Sequence, residues 1–335
     1  MSTDSPAPAP VAGRQRELDA LRALCMLYIV GYFHVQPFWV SVMPLSLTTM
    51  LARIVLALFC FISGHLLASR YRLDEPGAVR TFYVRRILRI YPLYFIALSA
   101  FLALKLIPAS AYLPGVFLLH VYLQKPLRTL WFVSLIVFLY ALMPLYLRRP
   151  SPRKTLLLTV SLYLPALLVR PYASGYLVAF ALGIFLAQQP AAKDFFLRPR
   201  AATLAISSLL VFGMGVFVVQ KQVGETGIWQ QLFGVSYFVA AVPFSMALSG
   251  LTIKVVPGKL IFLISQASFA LYLTHRIVYA LATMLYYPPR HTVTSQLYLL
   301  CVLLPAAILV AHGVQIGYDR AMEKLFPAGP RCSTS

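Results

Sequence analysis

Long apolar runs separated by short basic clusters leave this chain few ways to fold. In lipid every backbone N–H and C=O must find its partner within the protein, so only helices and closed barrels cross. Runs of about 20 apolar residues are long enough to cross as helices. The sequence therefore predicts an all-α polytopic membrane protein of about ten transmembrane helices, over roughly 21–43, 49–69, 87–107, 130–147, 155–171, 175–189, 201–219, 229–250, 260–286 and 295–317. Residues 108–129 are too polar and too marked by proline to be read as a span.

Of the 335 residues, 60% are hydrophobic and 11% charged, against about a quarter charged in a soluble domain. A formal charge of +20 raises the question of nucleic acid. The basic residues sit in short clusters between apolar runs, the arrangement of the positive-inside rule, so no nucleic-acid partner is needed. Most of the 29 lysines and arginines fall on one side if both termini are cytoplasmic and residues 108–129 do not cross. The expected organisation is a disordered cytoplasmic tail over 1–13, a membrane domain over 14–317 and a cytoplasmic tail over 318–335. No small-residue cleavage site precedes the first span, which reads as an uncleaved anchor.

All nine carboxylate side chains fall in tails, loops or helix ends. Proton-driven pumps thread Asp or Glu through the membrane, so a proton-coupled transporter is disfavoured. Cys25, Cys60 and Cys301 lie in apolar runs and Cys332 in the tail, so neither a structural disulfide nor a metal site is expected.

His34 stands inside the first apolar run, twelve residues beyond Arg22, or about 18 Å of helical rise. A buried intramembrane imidazole is costly, which makes His34 the first candidate for chemistry; a packing role is the alternative. Arg53 in the second span and His275-Arg276 in the ninth lie at a similar depth, a grouping suited to an oxyanion or anionic substrate, or to snorkelling. In Arg80-Thr-Phe-Tyr-Val-Arg85-Arg86-Ile-Leu-Arg89-Ile-Tyr-Pro92, a helix puts Arg86 and Arg89 on one face, where two forks can hold a phosphate. Positive-inside anchoring explains the same cluster. Pro92 should kink or start the third helix. Trp131 reads as an interfacial anchor, with Ser134 and Tyr140 carried inward; His65, His120, His291 and His312 receive no role.

These stretches, in this order, resemble the acyltransferase-3 family of integral membrane acyltransferases, which includes O-acetylases of bacterial surface glycans. The resemblance rests on Asp19-Ala-Leu-Arg22 with His34, Phe61-Ile-Ser-Gly64, Arg85-Arg86-Ile-Leu-Arg89-Ile-Tyr-Pro92, Trp131 through Pro144, and Ser268-Phe-Ala-Leu-Tyr272-Leu-Thr-His275. It implies an acyltransferase domain over 14–317 in a bacterial inner membrane, with cytosolic acetyl-CoA or another acyl-CoA as donor and a glycan or glycolipid acceptor beyond the membrane. By resemblance His34 is the essential histidine, Arg22 the arginine opening the first helix, and Arg86 and Arg89 the Arg-x-x-Arg loop. The sequence departs from the family pattern twice. One extra residue between Arg22 and His34 would rotate the imidazole by about 100° unless a π-bulge absorbs it, and Ile136 stands where many relatives carry a glutamate.

The expectation is O-acetyl transfer to a sugar hydroxyl. Arg86 and Arg89, with Arg85 and Arg22, would hold the CoA phosphates, and His34 would act as general base or as the covalent acyl carrier. Asp19 is a candidate for orienting Arg22; Arg53, His275 and Ser134 are candidates for the oxyanion or acceptor site. A glycolipid or polysaccharide transporter or flippase is the alternative, and a non-catalytic partner of a glycan assembly complex is a third reading.

Overall fold

The computed structural model describes residues 16–38, 43–119, 127, 129–169, 171–221, 228–286, 289 and 292–325. The expected tail over 1–13, His120 and His291 lie outside them. Among the described residues the regular structure is helical, with no strand. The chain opens with α1 (Arg16–Gly31), which gives way to a 3-10 turn over Phe33–Phe38, and continues with α2 (Leu45–Arg70) and α3 (Ala78–Ala103). After the short α4 (Ala109–Val116) come α5 (Trp131–Ala141), α6 (Met143–Leu147), α7 (Pro152–Val169), α8 (Pro171–Gln188) and α9 (Pro190–Leu197). The last third holds α10 (Ala201–Lys221), α11 (Ile228–Val255), α12 (Gly258–Gln266), α13 (Ser268–Leu285), α14 (Val293–Tyr298), a π-helical segment over Leu299–Leu303, and α15 (Leu304–Leu325).

Helix lies in each of the ten expected intervals, but six of the helical stretches are long and apolar enough to cross a membrane alone, or up to eight if each bent pair is one span. The difference comes from breaks. The expected 260–286 span is α12 and α13, bent by 74° at Ala267, and α8 turns into α9 by 120°. Helices α5 and α6 form a shorter apolar stretch over Trp131–Leu147. The eight residues of α4 reach about 12 Å, too short for a core of about 30 Å. At the other end, α15 runs to Leu325, so the first part of the expected 318–335 tail is helical. The outer surface carries bare apolar side chains such as Leu209, Leu168 and Leu285, exposed by 74%, 74% and 90%. Water would penalise such a surface; lipid does not.

Two in-helix prolines show how the broken backbone is satisfied. Pro92 lies inside α3, which begins at Ala78 rather than at residue 87 as expected. A proline has no N–H to give the carbonyl four residues earlier, and here that carbonyl, Leu88, accepts instead from the Tyr318 hydroxyl of α15. Pro243 interrupts α11. There the Ser207 hydroxyl of α10 accepts from the Phe244 N–H at 3.1 Å and donates to the Ala240 carbonyl at 2.5 Å, bridging a pair that a regular helix would join directly.

α1 is enclosed by α2, α11, α12 and α13. α2 in turn lies closely along α8, where Gly64 and Gly183 remove the side chains that would hold the two backbones apart. A Cβ on Gly64 would stand 2.1 Å from the Phe180 carbonyl oxygen, and one on Gly183 would stand 2.1 Å from that of Phe61. Backbone cannot swing away as a side-chain tip can. Gly183→Ala should therefore cost at least about 1–3 kcal/mol and lower the midpoint of thermal unfolding in detergent. Gly250→Ala on α11, with nothing within 4 Å of the added carbon, should leave it unchanged or raise it slightly.

Candidate functional site

The first turns of α1 begin the basic end of the site. The Ser265 hydroxyl donates to Asp19 Oδ1 at 2.9 Å, and the same oxygen lies 4.0 Å from Arg22 Nη1. Asp19 thus sits between α12 and the arginine one turn on. Arg22, Arg70, Arg85, Arg86 and Arg89 line one cavity of about 980 Å³, with Asp19, Asp319 and Glu323 also on its wall. Five arginines against three carboxylates leave that wall positive.

Arg86 is the best-held of the five. Its Nη2 donates to the Tyr71 hydroxyl at 2.8 Å, and its guanidinium carbon lies 5.1, 5.7 and 5.8 Å from the ring centres of Tyr71, Phe82 and Tyr140. Aromatic faces attract a guanidinium and fix its plane. Arg86 Nε is buried and has no hydrogen-bond partner among the described residues, so this pre-set fork keeps a donor in reserve. A buried donor left unpaired is costly, and an anionic ligand would relieve the cost. Farther in, Phe59, Phe132 and Ile136 make the wall apolar.

The other end is built by the break in α1. Instead of the π-bulge considered from the sequence, the helix stops at Gly31 and tightens into the 3-10 turn that carries His34. A 3-10 helix turns 120° per residue, so an ideal α-helical register does not predict where the imidazole points. The Tyr279 hydroxyl of α13 donates to the Val30 carbonyl at 3.1 Å, the acceptor that the His34 N–H would use in an unbroken helix. The break is therefore tied to α13, which carries His275.

His34 Nδ1 lies 2.8 Å from His275 Nε2, and the two ring planes differ by 4°. His275 Nδ1 lies 3.0 Å from the Leu271 carbonyl oxygen, which can only accept, so His275 Nδ1 carries the proton. With both rings neutral, His275 Nε2 then has the lone pair and His34 Nδ1 must be the donor. The consequence is chemical: His34 is left with its lone pair on Nε2. His275 is fully buried and His34 half-buried, and His34 lines a cavity of about 400 Å³ with Arg53, Arg276, Trp131, Tyr176 and Tyr272.

Tyr272 lines both cavities. Its hydroxyl donates to the Thr129 carbonyl. On α5, Trp131 lines the cavity of His34 while its neighbour Phe132 lines the basic one. The two cavities thus approach each other across a partition one side chain thick. Tyr272, His275, Arg276 and Tyr279 follow the spacing i, i+3, i+4, i+7, which places all four along one face of α13.

A positively charged cavity joined through such a partition to a histidine of defined tautomer is the arrangement an acyl-transfer enzyme with a polyanionic donor would use. A family model described as an acyltransferase domain matches residues 15–312. The chain belongs to the acyltransferase-3 family. No curated protein and no solved structure matches it. As an acyltransferase-3 protein it is a multi-pass membrane acyltransferase. Arg86 and Arg89 share the basic cavity with Arg22 and Arg85. Arg53 and His275 do converge on His34. Ser134 does not join them: it is buried on α5 beside Tyr94 and lines neither cavity. The sequence reading also missed Arg70 and Tyr272. Arg70 ends α2 next to the Arg-rich helix and looks like ordinary anchoring, whereas Tyr272 already lay within the matching Ser268–His275 motif.

Proposed function

We propose that this protein transfers an acyl group, acetyl by preference, from cytosolic acyl-CoA to a sugar hydroxyl of an extracytoplasmic or lipid-linked glycan in the bacterial cytoplasmic membrane. The observation that carries the reading is the meeting of the five-arginine cavity and the His34 cavity at Tyr272. Arg86, with its unpaired Nε, and Arg89, Arg85 and Arg22 hold the donor's phosphates at the cytosolic end, and the thioester arm passes Tyr272. Ten crossings with both termini in the cytosol complete this topology and put His34 in the outer half of the membrane.

Acyl transfer then follows from the tautomer. His34 Nε2 takes the proton of the acceptor hydroxyl as its oxygen attacks the thioester carbonyl. The carbon–sulfur bond breaks as the tetrahedral intermediate collapses, and the proton passes from Nε2 to the departing thiolate. In the covalent route the same Nε2 attacks the thioester carbonyl first and expels the CoA thiolate; the acceptor oxygen then attacks the acyl group, the carbon–nitrogen bond to Nε2 breaks, and the hydroxyl proton passes to the thiolate. Either way a positive imidazolium forms for part of the cycle, and its Nδ1–H bond to His275 becomes charge-assisted and stronger. His275 is thus a positioning residue. His275→Phe should lower kcat by about 5- to 150-fold, the effect of losing 1–3 kcal/mol, with the KM for acyl-CoA unchanged. His275→Gln, which can still accept from Nδ1–H, should recover part of the rate.

Reconstituted protein given acetyl-CoA and bacterial glycolipid should release free CoA thiol in proportion to acetylated product. Movement of glycolipid across the membrane without thiol release would overturn the proposal in favour of a flippase.

A further inference from the structure

The partition between the two cavities is aromatic, and its parts hold one another in place. The Thr129 carbonyl accepts from the Tyr272 hydroxyl and, at 3.4 Å, from the Phe132 N–H. The rings of Tyr272 and Phe132 meet edge-on, 5.7 Å apart between centres, and Phe132 meets Tyr176 in the same manner at 6.3 Å. All three are buried. Each such aromatic pair is worth about 0.5–1.5 kcal/mol beyond its buried area, and swinging Tyr272 aside would also give up its hydrogen bond. The ring therefore rests in the closed position.

That position is next to the chemistry. The Tyr272 ring centre lies 6.1 Å from that of His275, which stands one turn on along α13 and is paired with His34. On the arginine side, Phe59, Val133 and Ile136 make the approach to the ring apolar. A donor held by its phosphates comes up this approach tail first: the alkyl chain leads, then the carbonyl, then the sulfur. To bring the carbonyl to His34, everything the acyl group carries beyond that carbonyl must fit past the Tyr272 ring. For acetyl this is one methyl group. For hexanoyl it is a five-carbon chain that needs the space the ring fills.

Resting on the acyl-transfer reading above, we infer that Tyr272 selects the acyl group by size, its ring admitting acetyl to His34 and turning longer chains back. Its hydroxyl proton is committed to the Thr129 carbonyl, so Tyr272 acts through its bulk and not as an acid. Apolar sites separate substrates that differ by a single methylene by about 10- to 200-fold. A ring that must move for every added methylene discriminates at least that well between acetyl and hexanoyl.

The test is the ratio of kcat/KM for acetyl-CoA to that for hexanoyl-CoA. It is measured on protein reconstituted in vesicles with bacterial glycolipid, as glycolipid-dependent release of CoA thiol. Wild type should favour acetyl-CoA by about tenfold or more. Tyr272→Ala should bring the ratio to about threefold or less, by raising the rate with hexanoyl-CoA. Phe132→Ala opens the same partition from α5, so it should shift the ratio in the same direction, and it serves if Tyr272→Ala does not fold. A merely structural role for these rings would lower both rates together and leave the ratio where it was. That result, or a wild-type protein with no preference for acetyl-CoA, overturns the inference. Failure of the acyl-transfer reading shows separately, as wild-type protein that releases thiol with neither donor, and the inference falls with it.

Discussion

His34→Ala lowers acyl transfer by about 10²- to 10⁴-fold, the range for loss of a positioned general base, while the protein remains folded in the membrane. The expectation combines position and protonation. His34 is half-buried at the wall of its cavity, and His275 fixes the proton on Nδ1, so the substitution removes the one basic nitrogen this pair presents. Folding should survive because the break ahead of the 3-10 turn is anchored by the Tyr279 hydroxyl on the Val30 carbonyl, and not by the imidazole. Acyl-CoA binding should also survive, since His34 is not among the residues lining the arginine cavity. A rate constant within tenfold of wild type, measured at saturating acyl-CoA, would remove His34 from the mechanism.

Arg86→Ala raises the KM for acyl-CoA by about 10- to 150-fold, from loss of a hydrogen bond to a charged group worth about 1.5–3 kcal/mol. The lysine variant is the sharper test of what the arginine does. Lysine keeps the charge but has no fork, and cannot both donate to Tyr71 and present a second donor in the same plane. Arg86→Lys should therefore recover only a small part of the affinity, and the same holds for Arg89→Lys. If either lysine variant binds acyl-CoA as wild type does, these arginines are membrane anchors and the phosphate site lies elsewhere.

Hydropathy and charge carried the helical architecture because both act locally: a run of apolar residues must be helical in lipid wherever its neighbours are. The same logic made Arg86 and Arg89 legible, since three residues on a helix is a local relation. Breaks were harder. Nothing in Ser265-Gln-Ala-Ser268 announces the bend at Ala267, and the stop at Gly31 is tied to Tyr279, 249 positions from the Val30 carbonyl it bonds. The pairing of His34 with His275, 241 residues apart, has no signature in either segment; only packing α1 against α13 brings it about. Tyr272 at the partition is similar, because a tyrosine in an apolar helix usually fills space. Pro92 misled in the opposite direction. A proline ordinarily marks a helix start or kink, but Tyr318 supplies the missing donor to Leu88 and lets α3 run through it from Ala78.

The central claim is that an acyl group entering at the arginine cavity leaves on an acceptor at His34. It is tested most directly in sealed inside-out membrane vesicles containing the host's glycolipids, given acetyl-labelled acetyl-CoA from outside, where the cytosolic face lies. The account predicts alkali-labile label on glycan protected within the vesicles, with wild-type protein and not with His34→Ala. Equal labelling by the two proteins, or labelled product only on the outer face of the vesicles, would contradict it.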